Sequence, residues 1–231
     1  MTPTYFGWKM NLGQRPYKAA HEWQKRMVRY RLNGMIRDTI FYTTHPHVIT
    51  IGRDFQNSCP LNIDEIEVHQ ISRGGGITYH GPGQLVIYPI FDLRRRGRDL
   101  RAFIHNIEEG IIRAFDDYNL KCGRKNDHIG VWVKDHKIAS IGVAVQRWIS
   151  FHGAAVNLTT DLNKFYMINP CGLTPETMTS AEKEINQKIT LDDFESNLSE
   201  HYSKIFDTKF DAIDMNELAE IIDLEESSQT L

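Results

Sequence analysis

Hydrophobic residues recur along the chain with two spacings, one typical of helices and one typical of strands. Over residues 17–30 and 100–118 they recur at steps of three and four, which predicts two amphipathic helices. Pro16 suits the first turn of the earlier helix, and Asp99 suits the N-cap of the later one. Thr190 precedes a third segment with the same spacing, so the pattern predicts another helix there.

Shorter runs rich in apolar, aromatic and β-branched residues predict the strands. They cover residues 41–51 (interrupted by His45-Pro46), 85–90, 129–133, 138–145 and 151–158. Only a short polar turn separates the runs 129–133 and 138–145, which favours a hairpin. Because strands and helices are mixed along the chain, we predict an α/β (α+β) fold.

The 231 residues are enough for one large domain or two small ones. No linker-like segment divides the chain, so we expect a single domain over residues 1–231. The last stretch, residues 211–231, carries seven acidic residues and neither Lys nor Arg. Either a short helix from Asp214 or a frayed end is compatible with this acidic C-terminal segment.

Charge and hydrophobic runs exclude several classes of protein. The net charge is −3, and the mildly basic remainder outside the acidic segment is too weakly charged to indicate nucleic-acid binding. No run of about 18 apolar residues predicts a membrane-spanning helix. Residues 1–12 lack the basic flank and apolar core of a signal peptide. We therefore expect a cytoplasmic protein that binds neither nucleic acid nor a membrane.

The three cysteines, Cys59, Cys122 and Cys171, are too few and too widely spaced to predict a disulfide framework. No CxxC or HxxxH pair indicates a metal site, so we expect no metal. Cys171 stands between Pro170 and Gly172, on a constrained turn that can present its sulfur. A free cysteine is, however, more often a small buried apolar residue.

The segment from Arg73 to Gln84 contains five glycines just before an apolar strand. Glycines allow positive φ angles and a close approach of the backbone to a ligand, and exposed amides can bind a carbonyl or an anion. A bulged hairpin with glycine turns explains the glycines equally well. Arg73, Tyr79 and His80 favour a ligand, whereas the GKS/GKT and GxGxxG phosphate signatures are missing.

Two further segments combine a polar residue with small neighbours. Lys137 begins a strand that continues into Ser140-Ile141-Gly142, and His152 is followed by Gly153-Ala154-Ala155. Taken alone, Lys137 reads as a solvated strand end and His152 as a hydrogen-bonded core residue. The small residues after each indicate that another group packs closely over these strands.

Together these segments resemble the lipoyl(octanoyl) transferase family, which is related to lipoate-protein and biotin-protein ligases. The matching stretches are residues 73–84 (RGGGITYHGPGQ), 137–142, 152–157 and 169–172, with residues 45–53 similar to the family's early strand. The likeness thus spans roughly residues 40–173. It implies a mixed β-sheet domain with flanking helices, similar to the catalytic domain of biotin- and lipoate-protein ligases.

The resemblance also implies an activity. The family transfers an octanoyl group from acyl carrier protein to a lysine on lipoyl domains of 2-oxoacid dehydrogenases and on the glycine-cleavage H protein. This reaction belongs to protein lipoylation and lipoate biosynthesis. It needs no ATP, because the acyl group arrives as a thioester, and no cofactor is implied.

For the site, the resemblance implies two catalytic residues and a set of acyl-binding residues. The family's cysteine, which carries the acyl group as a thioester, maps onto Cys171, and its lysine partner maps onto Lys137. The acyl-binding positions map onto Arg73, Gly74, Gly75, Gly76, Ile77, Thr78, Tyr79, His80, Ser140, Ile141, Gly142, Gly153, Ala154 and Ala155. A cationic lysine beside a thiol would stabilise the thiolate nucleophile.

Two other functions stay open at this point. An ATP-dependent lipoate- or biotin-protein ligase would share the fold but have no use for Cys171, and a non-catalytic carrier-binding module would need neither Cys171 nor Lys137. A cluster of five arginines between positions 94 and 101 is either a solvated surface or a docking site for an acidic carrier protein.

Overall fold

A computed structural model describes residues 4–55, 66–168, 173–185 and 187–228. The helices are α1 Tyr17–Leu32, α2 Leu100–Asp116, α3 Ala181–Glu184, α4 Leu191–Ile205 and α5 Met215–Ser228. The strands are β1 Tyr5–Gln14, β2 Asp38–Thr44, β3 Val48–Ile51, β4 Glu67–Gln70, β5 Ile77–His80, β6 Gln84–Ile90, β7 Gly123–Lys125, β8 His128–Val133, β9 His136–Gln146, β10 Ile149–Asn157 and β11 Thr208–Ala212. No helix within these described ranges has both the length and the apolar composition that a bilayer span requires.

Within the described ranges, eight strands form a mixed sheet in the order β11-β1-β2-β6-β10-β9-β8-β7. β1 runs parallel to its neighbours β2 and β11, and the other pairs are antiparallel. β10 lies between β6 and β9, so that Ala155 is opposite Val86 on one side and Ser140 on the other. This register places the small residues of β9 and β10 side by side.

The alternation of side chains along each strand divides the core between the two faces of this sheet. Leu85 and Ile87 pack with α2 and α4 on one face, whereas Val86 and Tyr88 pack with α1 and α5 on the other. The helices fit because each presents one apolar stripe at helical spacing. The α1 face is the one that also meets a second, smaller sheet.

The second sheet has the order β4-β3-β5. Its apolar side chains, which include Ile49, Ile51 and Tyr79, form a separate cluster with Phe165 and Met178. The small sheet is therefore anchored by the chain that precedes and follows residues 169–172, which lie outside the described ranges.

The α/β (α+β) expectation is confirmed, and each of the three predicted helices is present. The Asp99 carboxylate accepts a hydrogen bond from the amide of Ala102, and the Thr190 hydroxyl accepts one from the amide of Asp193, as N-caps do. The acidic C-terminal segment forms β11's last residues and then α5, whose Leu218 packs into the core.

Several strands were not predicted, namely β1, β4, β5, β7 and β11. In β1 the pattern is hidden by Gly7, where a side chain would lie 2.5 Å from the carbonyl oxygen of Asp38. Close approach of a neighbouring backbone is a common reason for a glycine inside a strand. The contact with Asp38 therefore explains Gly7, and this glycine interrupts the residue pattern from which a strand would be predicted.

Candidate active site

A pocket lies between the two sheets and the first turn of α1. Nine predicted acyl-binding residues line it, namely Arg73, Thr78, His80, Ser140, Ile141, Gly142, Gly153, Ala154 and Ala155. Residues as far apart in the sequence as Arg73 and Ala155 are thus brought together around one space.

Five other residues predicted to bind the acyl group do not line this pocket. Ile77 and Tyr79 alternate with Thr78 and His80 along β5, so their side chains point into the cluster of the small sheet. The remaining three, Gly74, Gly75 and Gly76, form backbone contacts beside it. The amide of Gly74 donates to Val143, the amide of Gly75 donates to the Asp54 carboxylate, and the carbonyl oxygen of Gly76 accepts from Gly52.

Two glycines of β9 and β10 are needed because other groups pack directly against their backbone. A side chain at Gly142 would lie 2.9 Å from both the Arg73 Cδ and the Gly74 carbonyl oxygen, and one at Gly153 would lie 2.1 Å from the Ile87 carbonyl oxygen. Both distances are shorter than any normal carbon contact. The glycine loop and β6 therefore approach β9 and β10 as closely as backbone permits.

A chain of hydrogen bonds begins at the Arg73 guanidinium beside the pocket. Its Nη2 donates to the Thr50 hydroxyl at 2.9 Å and to the Thr50 carbonyl oxygen at 2.8 Å. The Thr50 hydroxyl lies 3.3 Å from Nε2 of His80, and Nδ1 of the same ring lies 2.7 Å from Oε1 of Gln84. The four residues are buried.

The same chain continues from Gln84 to the strand that carries Lys137. Nε2 of Gln84 donates to the side-chain oxygen of Asn157 at 2.9 Å and to the carbonyl oxygen of Tyr79 at 3.3 Å. Nδ2 of Asn157 donates to the carbonyl oxygen of Thr179 at 3.0 Å, and the amide of Thr179 donates to the carbonyl oxygen of Lys137 at 3.0 Å. We call the six residues Arg73, Thr50, His80, Gln84, Asn157 and Thr179 the pocket network.

The backbone partners fix the direction of every bond in the pocket network. Because Gln84 must present its amide nitrogen to the Tyr79 carbonyl, its oxygen faces His80, and Nδ1 of His80 carries the proton. Nε2 of His80 then accepts from the Thr50 hydroxyl. Burial is the main reason that the pKa of His80 falls to about 3, so its ring is neutral at pH 7.

Four residues that line the pocket were not assigned to it from the sequence: Tyr17, Val86, Tyr88 and His152. Val86 and Tyr88 share one face of β6, so their alternation after the glycine segment was an available signal. Tyr17 offered no local signal, because it belongs to the apolar stripe of α1. His152, interpreted from the sequence as a core residue, is both buried and at the pocket.

Aromatic rings surround the Tyr17 side of the pocket. The rings of Tyr17 and His80 stack with their planes 7° apart and their centroids 6.1 Å apart. His45 donates from Nδ1 to the carbonyl oxygen of Arg15 and accepts at Nε2 from the Tyr88 hydroxyl, each at 2.7 Å. Burial lowers the pKa of His45 to about 4, so this histidine is also neutral at pH 7.

His152 has a left-handed backbone, with φ of 57°, which is unusual for a histidine inside a strand. The side-chain oxygen of Gln24, on α1, accepts from the His152 amide at 2.8 Å and holds this conformation. Burial lowers the pKa of the His152 ring well below its ordinary value. A strained residue that is held in place beside a pocket is typical of a functional site.

Lys137 is the second residue of β9, five residues before Gly142, and is only 4 % exposed. It is therefore not the solvated strand end that its position suggested. Its stem passes over Gly130 of β8, where a side chain would lie 2.4 Å from Lys137 Cε, and its ammonium lies 5.6 Å from the centre of the Trp132 ring. The predicted partner, Cys171, lies outside the described residues.

The arginine cluster between positions 94 and 101 has two different roles in the fold. Arg94 pairs with Asp92 and Arg96 pairs with the buried Asp38, each at 2.8 Å, so both build the structure. The other three, at positions 95, 98 and 101, are exposed. They follow the end of β6 that is remote from Gln84, and hence from Lys137.

Comparison with known proteins places the chain in a family. Residues 16–203 match the family model described as "Lipoyl protein ligase A/B catalytic domain". An octanoyltransferase of Caldanaerobacter subterraneus subsp. tengcongensis is 38 % identical over 216 residues, covering 91 % of this chain and 94 % of that protein. One of Caldicellulosiruptor saccharolyticus is 39 % identical over 214 residues, covering 89 % and 91 %.

Solved structures support the same fold. A lipoate-protein ligase A bound with ATP is similar with a TM-score of 0.71 at 18 % identity, covering 94 % of each chain. A biotin protein ligase from Aquifex aeolicus, bound with biotin and ATP, is similar with a TM-score of 0.54 at 10 % identity, covering 87 % of this chain and 70 % of that one. These likenesses confirm the expected relation to the ligase catalytic domains at the level of fold.

Proposed function

Because this chain belongs to the octanoyltransferases, within the lipoyl protein ligase A/B catalytic domain family, we propose that it transfers an octanoyl group to a lysine of lipoyl domains. We propose octanoyl-acyl carrier protein as the donor. The lipoyl domains of 2-oxoacid dehydrogenases and the glycine-cleavage H protein are the proposed acceptors. The single observation that carries the proposal is the pocket, which the described chain builds along β9 and β10 in line with Lys137.

The pocket suits an acyl chain because small residues of β9 and β10 line one side of it, and we call the space along this side the slot. Ser140 lies opposite Ala155, and Gly142 lies opposite Gly153 two residues further along both strands. Ser140 and Gly142 follow Lys137 along β9, so the slot extends away from Lys137. The pair Gly142 and Gly153 lies about 16 Å from Lys137 along the strand, at the usual rise per residue. An acyl chain whose carbonyl carbon is near Lys137 would therefore lie along β9 and β10.

In the first half of the reaction we propose that the Cys171 thiolate attacks the carbonyl carbon of the donor thioester. A bond forms between Cys171 Sγ and that carbon, and the bond to the donor sulfur breaks. The Lys137 ammonium first stabilises the thiolate and then gives its proton to the departing sulfur. The products are an octanoyl thioester on Cys171, the donor thiol and a neutral Lys137 amine.

In the second half the amine of the lipoyl-domain lysine attacks the same carbonyl carbon. A carbon–nitrogen bond forms, the bond to Cys171 Sγ breaks, and the neutral Lys137 amine accepts the proton that the attacking amine loses. This restores the pair of thiolate and ammonium. Amide formation from a thioester runs downhill, so the cycle needs no ATP.

The pocket network supports this role for Lys137. Its last bond runs from the Thr179 amide to the Lys137 carbonyl oxygen, and Met178 pairs with Lys137 as an isolated bridge. The backbone that carries the lysine is thereby connected to the same buried residues that hold Arg73 beside the pocket. A proton-transfer group must be held in one place, because its contribution depends on geometry.

The proposal is tested by mixing the protein with octanoyl-acyl carrier protein in the absence of ATP and measuring its intact mass. We expect one octanoyl adduct that hydroxylamine removes and that passes to a lipoyl domain. Cys171→Ala should carry no adduct. Cys122→Ala is the matched control and should keep it, because burial raises the pKa of the Cys122 thiol to about 12.

Lys137→Met tests the proton-transfer role, since methionine keeps an unbranched stem without the ammonium. We expect kcat/KM to fall by about 100-fold or more. Lys125→Met is its control, because Lys125 also lies over the Trp132 ring, at 4.6 Å, but pairs with the exposed Asp135. Normal transfer by Cys171→Ala, or product formation only with ATP, would contradict the proposal.

A further inference from the structure

The carboxylate of Glu108 is a buried charged group outside the pocket, and the proposed mechanism does not use it. Glu108 lies on α2 and is only 7 % exposed. Its Oε2 accepts from Arg124 Nε at 2.9 Å, and its Oε1 accepts from the backbone amide of Gly130 at 3.0 Å. A buried carboxylate is costly unless it is paired and hydrogen-bonded. Arg124 supplies the opposite charge, so the ion pair alone does not explain the bond to Gly130.

The bond to Gly130 holds an irregular part of β8. On one side of this strand, β7 pairs with it at Trp132 and at His128 but shifts register between the two, and Gly130 lies in that interval. On the other side, the pairing of β8 with β9 shifts register between Val131 and Trp132. A carboxylate from α2 therefore supports β8 where its regular pairing is interrupted on both sides.

The backbone of Gly130 in turn determines where the Lys137 side chain lies. Lys137 is opposite Trp132, and Ile138 is the extra residue of the bulge that follows it in β9. Bulges beside active sites commonly re-aim a side chain. A side chain at Gly130 would lie 2.4 Å from Lys137 Cε and 3.2 Å from its Nζ. A shift of the Gly130 backbone would therefore move the ammonium.

We propose that Glu108 is a positioning residue for the Lys137 ammonium, which it holds in place through the amide of Gly130. This inference rests on the proposed function, in which Lys137 gives up and regains a proton at one atom. Glu108 does not line the pocket, so it acts on the rate of the chemical step and not on the binding of the acyl donor. Displacing a catalytic group by even about 1 Å can lower the rate severely.

Two conservative variants separate the two bonds of Glu108. Glu108→Asp keeps the charge that pairs with Arg124 but is one methylene shorter, so its oxygen no longer reaches the Gly130 amide. Glu108→Gln keeps the reach and an acceptor for that amide but loses the charge. With octanoyl-acyl carrier protein as donor, we expect kcat of Glu108→Asp to fall about tenfold with KM unchanged. Glu108→Gln should keep kcat within about threefold of the wild type.

Glu109, the next residue of α2, provides the matched control. One of its oxygens accepts from Nη2 of the same Arg124 at 2.7 Å, and the other accepts from Arg113 Nε at 2.8 Å. Glu109 thus shares the arginine, whereas the amide of Gly130 bonds to Glu108. Glu109→Asp and Glu109→Gln should both transfer the octanoyl group at the wild-type rate.

A second measurement follows Lys137 directly and needs no acyl transfer. Acetic anhydride modifies accessible lysine amines, and peptide mass spectrometry compares Lys137 with the exposed Lys134 in the turn before β9. We expect the ratio of Lys137 to Lys134 modification to rise at least about threefold in Glu108→Asp and to stay unchanged in Glu108→Gln. If the wild type transfers no octanoyl group, the proposed function fails, and this ratio still decides whether Glu108 holds the lysine.

Three outcomes would overturn the inference. Normal kcat in Glu108→Asp would show that the bond to Gly130 is not needed. A loss of kcat in Glu108→Gln as large as that in Glu108→Asp would assign the effect to the ion pair with Arg124. A raised KM with normal kcat would place Glu108 in donor binding instead.

Discussion

Two groups of buried polar residues lie at opposite ends of β6, and they are built in different ways. The pocket network contains one charged group, Arg73, and otherwise neutral side chains and backbone. The group at the other end, which we call the charged cluster, is made of ion pairs among Arg31, Asp38, Asp92, Arg94 and Arg96. Both are largely withdrawn from water, yet only the first borders the candidate active site.

The charged cluster is closed on itself. One oxygen of Asp38 accepts from Arg31 Nε at 2.7 Å and from the Asp92 amide at 2.8 Å, and the other accepts from Arg96 Nε at 2.9 Å. Arg96 also donates to the Phe206 carbonyl oxygen and to Thr208. These bonds connect α1, β2 and the start of β11, so the cluster holds distant parts of the chain together.

The pocket network instead contacts a group that has no hydrogen-bond partner among the described residues, the hydroxyl of Tyr17, whose ring stacks on His80. A cluster that serves only the fold can use all its bonds internally. One that serves a ligand must keep a donor or an acceptor for it. The location of an unused polar atom therefore distinguishes the two roles better than burial or charge.

The largest expected effect comes from breaking the charged cluster with Asp38→Asn. Removing one charge leaves Arg31 and Arg96 buried without full compensation, so we expect the free energy of unfolding to fall by about 3–5 kcal/mol. Urea denaturation measures this loss. Asp211→Asn, in an exposed pair with Lys209, should cost at most about 1 kcal/mol. Equal losses in the two variants would mean that the cluster adds nothing beyond a surface pair.

A smaller loss of stability, but a loss of activity as well, is expected when the pocket network is broken with Gln84→Leu. The change leaves the Asn157 oxygen and His80 Nδ1 without their partner, at about 1–3 kcal/mol of unfolding free energy. Because the network continues to the Lys137 backbone, we also expect kcat/KM to fall at least about tenfold. The exposed Gln146→Leu on β9 is the control. A destabilised variant with normal activity would separate the network from catalysis.

The last effect is absent at neutral pH and develops only in acid, and it follows from the neutral histidines in and beside the pocket. The pKa of His45 is about 4 in the folded protein, below the ordinary value of about 6.5. Between these values the unfolded chain binds a proton that the folded chain does not. Stability therefore falls as pH decreases from 6.5 to 4, by about 1.4 kcal/mol per pH unit. In His45→Asn, the free energy of unfolding should depend on pH with a slope reduced by that amount. Urea denaturation at several pH values measures this slope.

Glu195 provides a control of opposite sign for this pH experiment. Burial raises its pKa to about 7, so below pH 7 the folded chain binds a proton that the unfolded chain binds only near its ordinary value of 4.5. This carboxyl therefore adds stability as pH falls from 7 to 4.5. Glu195→Gln should steepen the loss of stability in that range, and a flatter profile would contradict the assignment.

The parts of the fold that the sequence predicted are those with a local cause. Residues close together in the sequence determine the apolar stripes of α1, α2 and α4 and the N-caps Asp99 and Thr190, so these features were predictable. The glycines of the motif segments likewise indicated close packing, and Gly142 and Gly153 are packed against backbone. The motif residues that line the pocket were identified because a long, specific pattern carried them.

The parts that were missed depend on contacts between distant segments. Arg96 lies in a run of arginines that suggested an exposed surface. Its guanidinium instead pairs with the buried Asp38 carboxylate, which is 58 positions earlier in the sequence. Tyr17 reaches the pocket only because α1 docks on β10, where Gln24 bonds to His152. No local pattern encodes either pairing, so neither could be found before the strands were placed.

The room for the Lys137 stem is made on another strand, at Gly130, and this has an evolutionary consequence. The ammonium keeps its place only while position 130 has no side chain, so the two positions share a single constraint. In any homologue with a larger residue at position 130, the Lys137 side chain must adopt another position or be replaced. The identity of the residue at position 130 is in this way tied to the role proposed for Lys137.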